Sequence, residues 1–367
     1  MEMKMNHRER IMSVLNLKEP DRVPYFDYFD IESVIKIGRL FQQDIPDLKL
    51  GIDYSRDEIY RLYEIQFAFM EVLEMDAMYQ GFSSGEERIP GTKDLIRDRY
   101  GVVYQMSPHG ESFAVDGPVH HPSDLKNLSG LEPQDADFQL LEYAQKTEPN
   151  LFYFFGMGDT FKWSWRLLGG MEKLLILYID NPKLCLDLAR MATDFLIKIM
   201  DTAVAKGADA IFMDGDLADN RTTYMSPDHY RKFIQPFYHE IVANAHEQGV
   251  PICKHTDGNM WPILDDMMDS GFDGFHPFEP GPMDIVEAKK YLQSKACVLG
   301  NIDCGKLLLF GTEDDVDTAV KDTIQKVAPG GGYILTSSNS IHPGCKAENV
   351  IAMFKAAKNY GTYPIQL

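Results

Sequence analysis

The chain has 367 residues, 44% hydrophobic and 25% charged, enough for one large α/β barrel or two medium domains. Its formal net charge of −20 excludes partners held by a basic stripe, nucleic acid and anionic membrane alike, and fits a cytoplasmic protein. No apolar run approaches the roughly 20 residues that span a bilayer, and Met1 to Arg10 is polar, unlike a signal peptide. The five cysteines (Cys185, Cys253, Cys297, Cys304 and Cys345) are too widely spaced for a disulfide framework. Buried, inert thiols are expected, with a metal or redox role open for Cys253, Cys297 and Cys345.

In chain order, the first expected strands are Val23–Phe29, Met75–Gln80 and Leu151–Gly156. Residues 80–135 read as an insertion with hairpin character around Tyr100–Tyr104 and Ser112–Val115. Helices are expected over Trp165–Tyr178 and Pro182–Ala205, then a strand over Asp209–Asp214. Ser226 caps and Pro227 opens a helix reaching His246, and Gly249 stops it. Strand Val250–Lys254, a helix near Pro262–Met268, strand Phe272–Phe275 and helix Met283–Leu292 follow. Strand Ala296–Gly300, helix Glu313–Val327 capped by Thr312, strand Gly332–Thr336 and helix Ala347–Tyr360 complete the chain. Eight strands alternating with helices predict a single (β/α)8 TIM-barrel domain over residues 1–367. No Gly-rich dinucleotide turn follows any strand, which counts against an open doubly wound sheet.

In such a barrel the chemistry belongs at the C-terminal ends of the strands. Those ends carry Asp214-Gly-Asp216, His255-Thr-Asp257-Gly-Asn259, His276-Pro-Phe-Glu279, Gly300-Asn-Ile-Asp303-Cys304 and Ser337-Ser-Asn339-Ser-Ile-His342. Singly, each has a bland role, since Asp and Asn cap helices and Gly-Asn makes turns. Five in succession at one end of the sheet point to a site. His255, Asp257, His276 and Glu279 offer the imidazole and carboxylate donors of a metal centre such as zinc. His255 as a hydrogen-bonding group and Asp257 as a helix cap remain open beside that.

Several motifs resemble the uroporphyrinogen decarboxylase superfamily, in order along nearly the whole chain. They are Asn6-His-Arg-Glu-Arg-Ile-Met12 with Asp21-Arg-Val-Pro24, Leu168-Gly-Gly-Met-Glu172 with Asp180-Asn-Pro182, and Gly207-Ala-Asp209 through Asp216. Ser226-Pro227 with Gln235-Pro236, Val250-Pro through Asn259, Gly300-Asn-Ile-Asp303 and Glu348-Asn-Val350 continue the match. The resemblance implies the same barrel, with an N-terminal helical extension. The decarboxylases carry an arginine-rich Met-Arg-Gln-Ala-Gly-Arg after the first strand to hold an octa-anionic tetrapyrrole. Here that region is Tyr25-Phe-Asp-Tyr-Phe-Asp30, acidic and aromatic, and their Gly-His-Gly is Ser338-Asn-Ser340. The corrinoid-dependent methyltransferase branch is the closer resemblance. Its zinc motif is His-x-Cys with a later Cys; here His255 stands for the His, Asp257 for the first Cys and Asn339 for the second.

The resemblance therefore implies a methyltransferase acting with a separate corrinoid protein, because no Asp-x-His-x-x-Gly anchor for the cofactor occurs in this chain. A small methylated donor such as a methyl ether is expected, with metal assistance, and a homodimer fits the branch. Asp216, Asp257 and Asp303 are the expected catalytic groups, and Tyr25, Asp27, Trp163, Asn259 and Asn339 the expected substrate contacts. The rivals are a decarboxylase and a non-catalytic small-molecule-binding barrel.

Overall fold

The computed structural model describes residues 4–47, 49, 53–107, 112–128 and 131–366. Strand β1 (Ala77–Gly81) is followed by β2 (Glu87–Arg88), β3 (Leu95–Arg97), β4 (Val103–Met106) and β5 (Ser112–Asp116), which form a separate antiparallel sheet. This small sheet falls within the expected insertion; β5 lies where hairpin character was expected around Ser112–Val115, while β4 begins at Val103, at the end of the expected Tyr100–Tyr104. The chain then makes β6 (Phe152–Gly156), β7 (Ala210–Asp214), β8 (Ile252–His255), β9 (Gly274–His276), β10 (Cys297–Ile302) and β11 (Tyr333–Ser337). With β1 these form a seven-stranded sheet in the order β1-β6-β7-β8-β9-β10-β11, parallel throughout.

Seven of the eight expected strands therefore form the ladder, each within two residues of its expected ends. The eighth, Val23–Phe29, makes only isolated bridges, Tyr25 with Leu335 and Phe29 with Ile341. Side chains take over bonds that a ladder would give to backbone. Pro24 has no N–H, the Tyr25 N–H donates to the Asp76 carboxylate at 3.0 Å, and the Asp27 carboxylate accepts the Ser337 N–H at 2.7 Å. Backbone bonds remain on both sides: Leu335 donates to the Pro24 carbonyl, and Asp76 donates to the Tyr25 carbonyl.

Two expected helices are each broken in two. Thr160–Leu168 ends at Gly169, in the left-handed region at φ 74°, and Met171–Asp180 begins beyond it. A side chain at Gly169 would strike the Asp116 backbone of β5 at 2.4 Å, so the break lets the helix seat on the small sheet. Pro227–Phe233 and Gln235–Glu247 are separated at Ile234, because Pro236 cannot donate back to the preceding turn. The expected helix near Pro262–Met268 is a 3₁₀ turn, Trp261–Ile263, running into Leu264–Asp269. Helices Pro182–Ala205, Glu313–Val327 with its Thr312 cap, and Ala347–Tyr360 stand at their expected bounds.

Strands β6 and β11 are buried at every residue, as expected where helices cover one face of a sheet and side chains fill the other. Phe26 stacks on Phe154 at 4.7 Å, and Phe154 meets Phe212 at 5.7 Å, so aromatic rings fill the concave side. Each such ring contributes roughly 1.5–3 kcal/mol by burial. At the other end of the sheet, helix His7–Leu15 is fixed by a capping box between Asn6 and Glu9. Arg10 and Arg22 from the two N-terminal motifs converge on the buried Asp76 at 2.6 and 2.7 Å, and Arg10 also pairs with Asp21. Those motifs are thus structural. All five cysteines are buried and free, and burial pushes the Cys185, Cys297 and Cys345 thiols up to about 12. Inert thiols were expected; the redox role left open finds no support. Among the described residues no helix is long and apolar enough to cross a membrane.

Candidate active site

Parallel register sets Asp214, His255 and His276 side by side at the ends of β7, β8 and β9. Just beyond them Asp216, His255 and Asp257 bring one ligand atom each within 4.8 Å of one another. His255 Nε2 lies 3.6 Å from an Asp216 oxygen and 3.9 Å from Asp257 Oδ1. The Asp257 N–H donates to Asp216 at 3.1 Å, which ties the two loops together. Asp257 Oδ2 accepts from the Asn339 amide, while its Oδ1 is buried with no partner. Burial first, then Asp216 and Glu279, push the Asp257 carboxyl up to about 8 against the Asn339 hydrogen bond.

His276 turns away from this cluster and supports it. Its Nδ1 is 2.7 Å from His255 Nδ1, and the Ser337 backbone lies beside its ring. When His255 Nδ1 is the donor of that bond and His276 Nδ1 the acceptor, His255 Nε2 is left free to act as a metal ligand. His255 Nε2 then carries a lone pair aimed at the two carboxylates. Burial holds both imidazoles below their ordinary range, so both are neutral at pH 7. Of the four metal donors expected, His255 and Asp257 are in the cluster, Asp216 takes a third place, and His276 is behind His255. Glu279 is outside: its carboxylate accepts the Gly258 N–H, and burial raises its pKa.

The cluster opens into a cavity of about 650 Å³ lined by Phe26, Tyr28, Tyr79, Trp163 and Phe212. These rings form a continuous wall: Tyr28 meets Tyr79 at 4.9 Å, Tyr79 meets Phe212 at 5.6 Å, and Phe212 meets His276 at 5.4 Å. Asp27, Trp163 and Asn339 line the cavity as expected of substrate contacts. Trp163 is 1% exposed, and its indole N–H donates to the Met157 carbonyl. Burial raises the Asp27 carboxyl to about 7 against hydrogen bonds from Ser337 and Tyr28.

Three expected site residues lie elsewhere. Tyr25 packs outward against Phe354 and under Arg22, with its hydroxyl on the Leu73 carbonyl. Asn259 shapes its own loop, donating to the Arg221 carbonyl and accepting the Trp261 N–H. Asp303 caps a turn, accepting the N–H groups of Gly305 and Lys306.

Other residues of the site carried no expectation. Lys162 pairs with Asp214, and Arg166 lines the same wall one turn along helix Thr160–Leu168. Lys162 and the Gly158 N–H hold Asp214 well below the usual carboxylate range despite its burial. Behind β8, the fully buried Lys254 reaches Asp159 at 2.8 Å and the Gly215 and His255 carbonyls at 2.7 Å. It thereby holds both loops that carry the cluster. A lysine inside the apolar run Val250-Pro-Ile-Cys-Lys254 was the available signal for such a buried pair.

A family model described as uroporphyrinogen decarboxylase (URO-D) matches residues 100–360. The uroporphyrinogen decarboxylase of Crocosphaera subtropica is 25% identical over 259 residues, 66% of this chain and 69% of that one. The methylcobamide:CoM methyltransferase MtaA of Methanosarcina barkeri is 30% identical over 170 residues, 46% of this chain and 47% of that one. A solved structure of a methyltransferase from Methanosarcina mazei, 20% identical, covers 97% of this chain and 99% of its own with a TM-score of 0.71. That likeness carries the fold, a parallel sheet curled with helices around it. The relatives include enzymes of both chemistries, and the chain belongs to the uroporphyrinogen decarboxylase family.

Proposed function

We propose that this protein is a methyltransferase that works with a separate corrinoid protein and takes its methyl group from a small donor such as a methyl ether. The observation that carries this reading is the convergence of His255 Nε2, Asp216 and the unpartnered Asp257 Oδ1 beside an aromatic cavity. Segment 22–29 serves in this reading as the eighth wall of a closed (β/α)8 barrel. A cavity of about 650 Å³ suits a small donor and is too small to enclose a whole corrinoid, which fits a cofactor presented by a partner.

The donor set fits a divalent metal. A cation would give the buried Asp257 oxygen a partner and offset the repulsion between Asp216 and Asp257. His255, Asp216 and Asp257 would hold it, and His276 would orient His255. One nitrogen and two oxygens make a harder site than one with thiolates. When bound, the ion supplies Lewis acidity at the heteroatom that bears the methyl group. The chain's own groups do the rest. Tyr79 and Phe212 pack the donor and exclude water from it, and Asn339 keeps the Asp257 carboxylate turned towards His255. Asp27, titrating near neutrality inside the cavity, is the group placed to supply a proton to the departing oxygen.

A tetrapyrrole decarboxylase is disfavoured by Asp27 and Tyr28 lining the cavity from the segment where that activity calls for arginines. The deciding assay mixes the purified protein with a reduced corrinoid protein and a panel of methyl donors. Methylation of the corrinoid, read by its absorbance change, is expected with at least one aromatic methyl ether. No methylation from any donor, with carbon dioxide released from uroporphyrinogen, would replace this reading with the decarboxylase.

A further inference from the structure

Lys162 and Arg166 project from successive turns of helix Thr160–Leu168 into the cavity. Lys162 is neutralised by Asp214. Arg166 is not neutralised. Among the described residues its guanidinium has no ion pair and no hydrogen bond, and its buried Nε has no partner. Its contacts are ring faces: Tyr104 at 5.6 Å, Trp165 at 5.8 Å and Trp163 at 5.9 Å from the guanidinium carbon. Aromatic faces hold the guanidinium in place and leave its planar fork of donors unspent. Its positive charge reaches the hydroxyl of Tyr79, the middle ring of the wall that ends at His255 and His276.

A half-buried guanidinium without an anion, in a chain of net charge −20, stands out against the rest of the surface. Glu86, which also lines the cavity, makes no ion pair with Arg166 and accepts the Ser84 hydroxyl at 2.8 Å. A carboxylate would meet the Arg166 fork with two parallel charge-assisted hydrogen bonds. We propose that Arg166 is the anion subsite of this cavity and that the substrate is an aromatic acid. Its carboxylate sits on Arg166 and its ring lies against Tyr79 and Phe212. The placing of the opposite, methyl-bearing end towards His255 and Asp216 rests on the methyltransferase reading; the anion subsite does not.

The test is calorimetric titration of the purified protein, without corrinoid protein, with three probes: 4-methoxybenzoate, methoxybenzene and inorganic phosphate. The acid should bind at least about tenfold more tightly than either of the others, the range of one charge-assisted contact. R166Q should remove that preference and leave methoxybenzene affinity unchanged, and R166K should restore part of it. Equal affinity of the wild-type protein for the acid and the neutral ether overturns the subsite, whatever R166Q does to folding. Preference for the acid that survives in a folded R166Q protein overturns it too, and phosphate binding as tightly as the acid overturns the aromatic assignment. Binding as expected without methyl transfer would sink the methyltransferase reading and leave the anion subsite standing.

Discussion

The Asn339 side chain donates to one oxygen of Asp257, and the other oxygen of that carboxylate is buried with nothing to bind. The two residues are 82 positions apart, beyond the ends of β8 and β11. They are also the positions that the resemblance to methyltransferases aligned with two cysteine ligands. Their meeting supports that alignment in space, while the thiolates are replaced by a carboxylate and an amide.

The first prediction concerns pH. The folded Asp257 carboxyl, at about 8, lies above its unfolded value of about 3.9. The native state therefore holds a proton that the unfolded chain has released across that window. The stability this contributes is complete below pH 4 and is lost as pH rises through 8. D257N cannot ionise, so it should gain on the metal-free wild-type protein by roughly 1.4 kcal/mol for each pH unit between about 4 and 8 and no further above that. Urea unfolding of both proteins at pH 5 and pH 9 measures this. An unchanged difference between the two pH values would show that Asp257 is ionised throughout.

Metal binding should follow the same proton. An ion at His255, Asp216 and Asp257 takes the place of the Asp257 proton, so affinity should rise with pH up to about 8 and level off above it. H276F removes the hydrogen-bond partner of His255 Nδ1 and should weaken zinc binding by about 10–100-fold. Competition against a chromogenic chelator reads both effects. Full affinity in H276F would mean that the pair of imidazoles does not set the ligand geometry.

The polar strand ends were legible because β6 to β11 alternate regularly with helices, so Asp216, His255, Asp257 and Asn339 fall at one end by count alone. Segment 22–29 was not legible to that depth. Phe26, Asp27, Tyr28 and Phe29 all line the cavity while Tyr25 faces outward, which breaks the period-two alternation used to read a strand. The break arises where the Asp27 carboxylate turns onto Ser337 in place of a ladder carbonyl. Arg166 escaped notice for a different reason. A basic pair spaced four apart, Lys162 and Arg166, reads like any solvated helix face until the small sheet and the tryptophans are packed around it. Asp303 and Asn259 carried true signals for capping and turns, and those are the roles they fill.

Lys254 offers a test of how the cluster is held. Both it and Asp159 are 0% exposed, and the Tyr238 hydroxyl also donates to Asp159. K254M leaves a buried carboxylate without its cation, an effect of about 3–5 kcal/mol. K254M/D159N should recover most of that stability, because neither residue is then charged. Metal affinity should stay low in the double variant, since the Gly215 and His255 carbonyls have lost their donor. Stability from denaturant unfolding together with zinc titration separates the two roles. Normal zinc affinity in the double variant would reduce the pair to a packing element.

The shape of the cavity depends on two glycines that face each other in register, Gly81 on β1 and Gly156 on β6. A methyl group at Gly156 would sit 1.9 Å from the Tyr79 hydroxyl oxygen, closer than two non-bonded atoms can stand. The same methyl at Gly81 would meet the Tyr79 ring at 3.5 Å, an ordinary contact. G156A must therefore push Tyr79 into the space proposed for the substrate ring, whereas G81A need not move it. The expected cost in stability is about 1–3 kcal/mol for G156A, the range for overpacking a filled interior. Titration with 4-methoxybenzoate should show binding lost or greatly weakened in G156A and retained in G81A. Equal binding by the two variants would mean that Tyr79 does not bound the substrate, and the aromatic wall would then have to be drawn from Tyr28 and Phe212 alone.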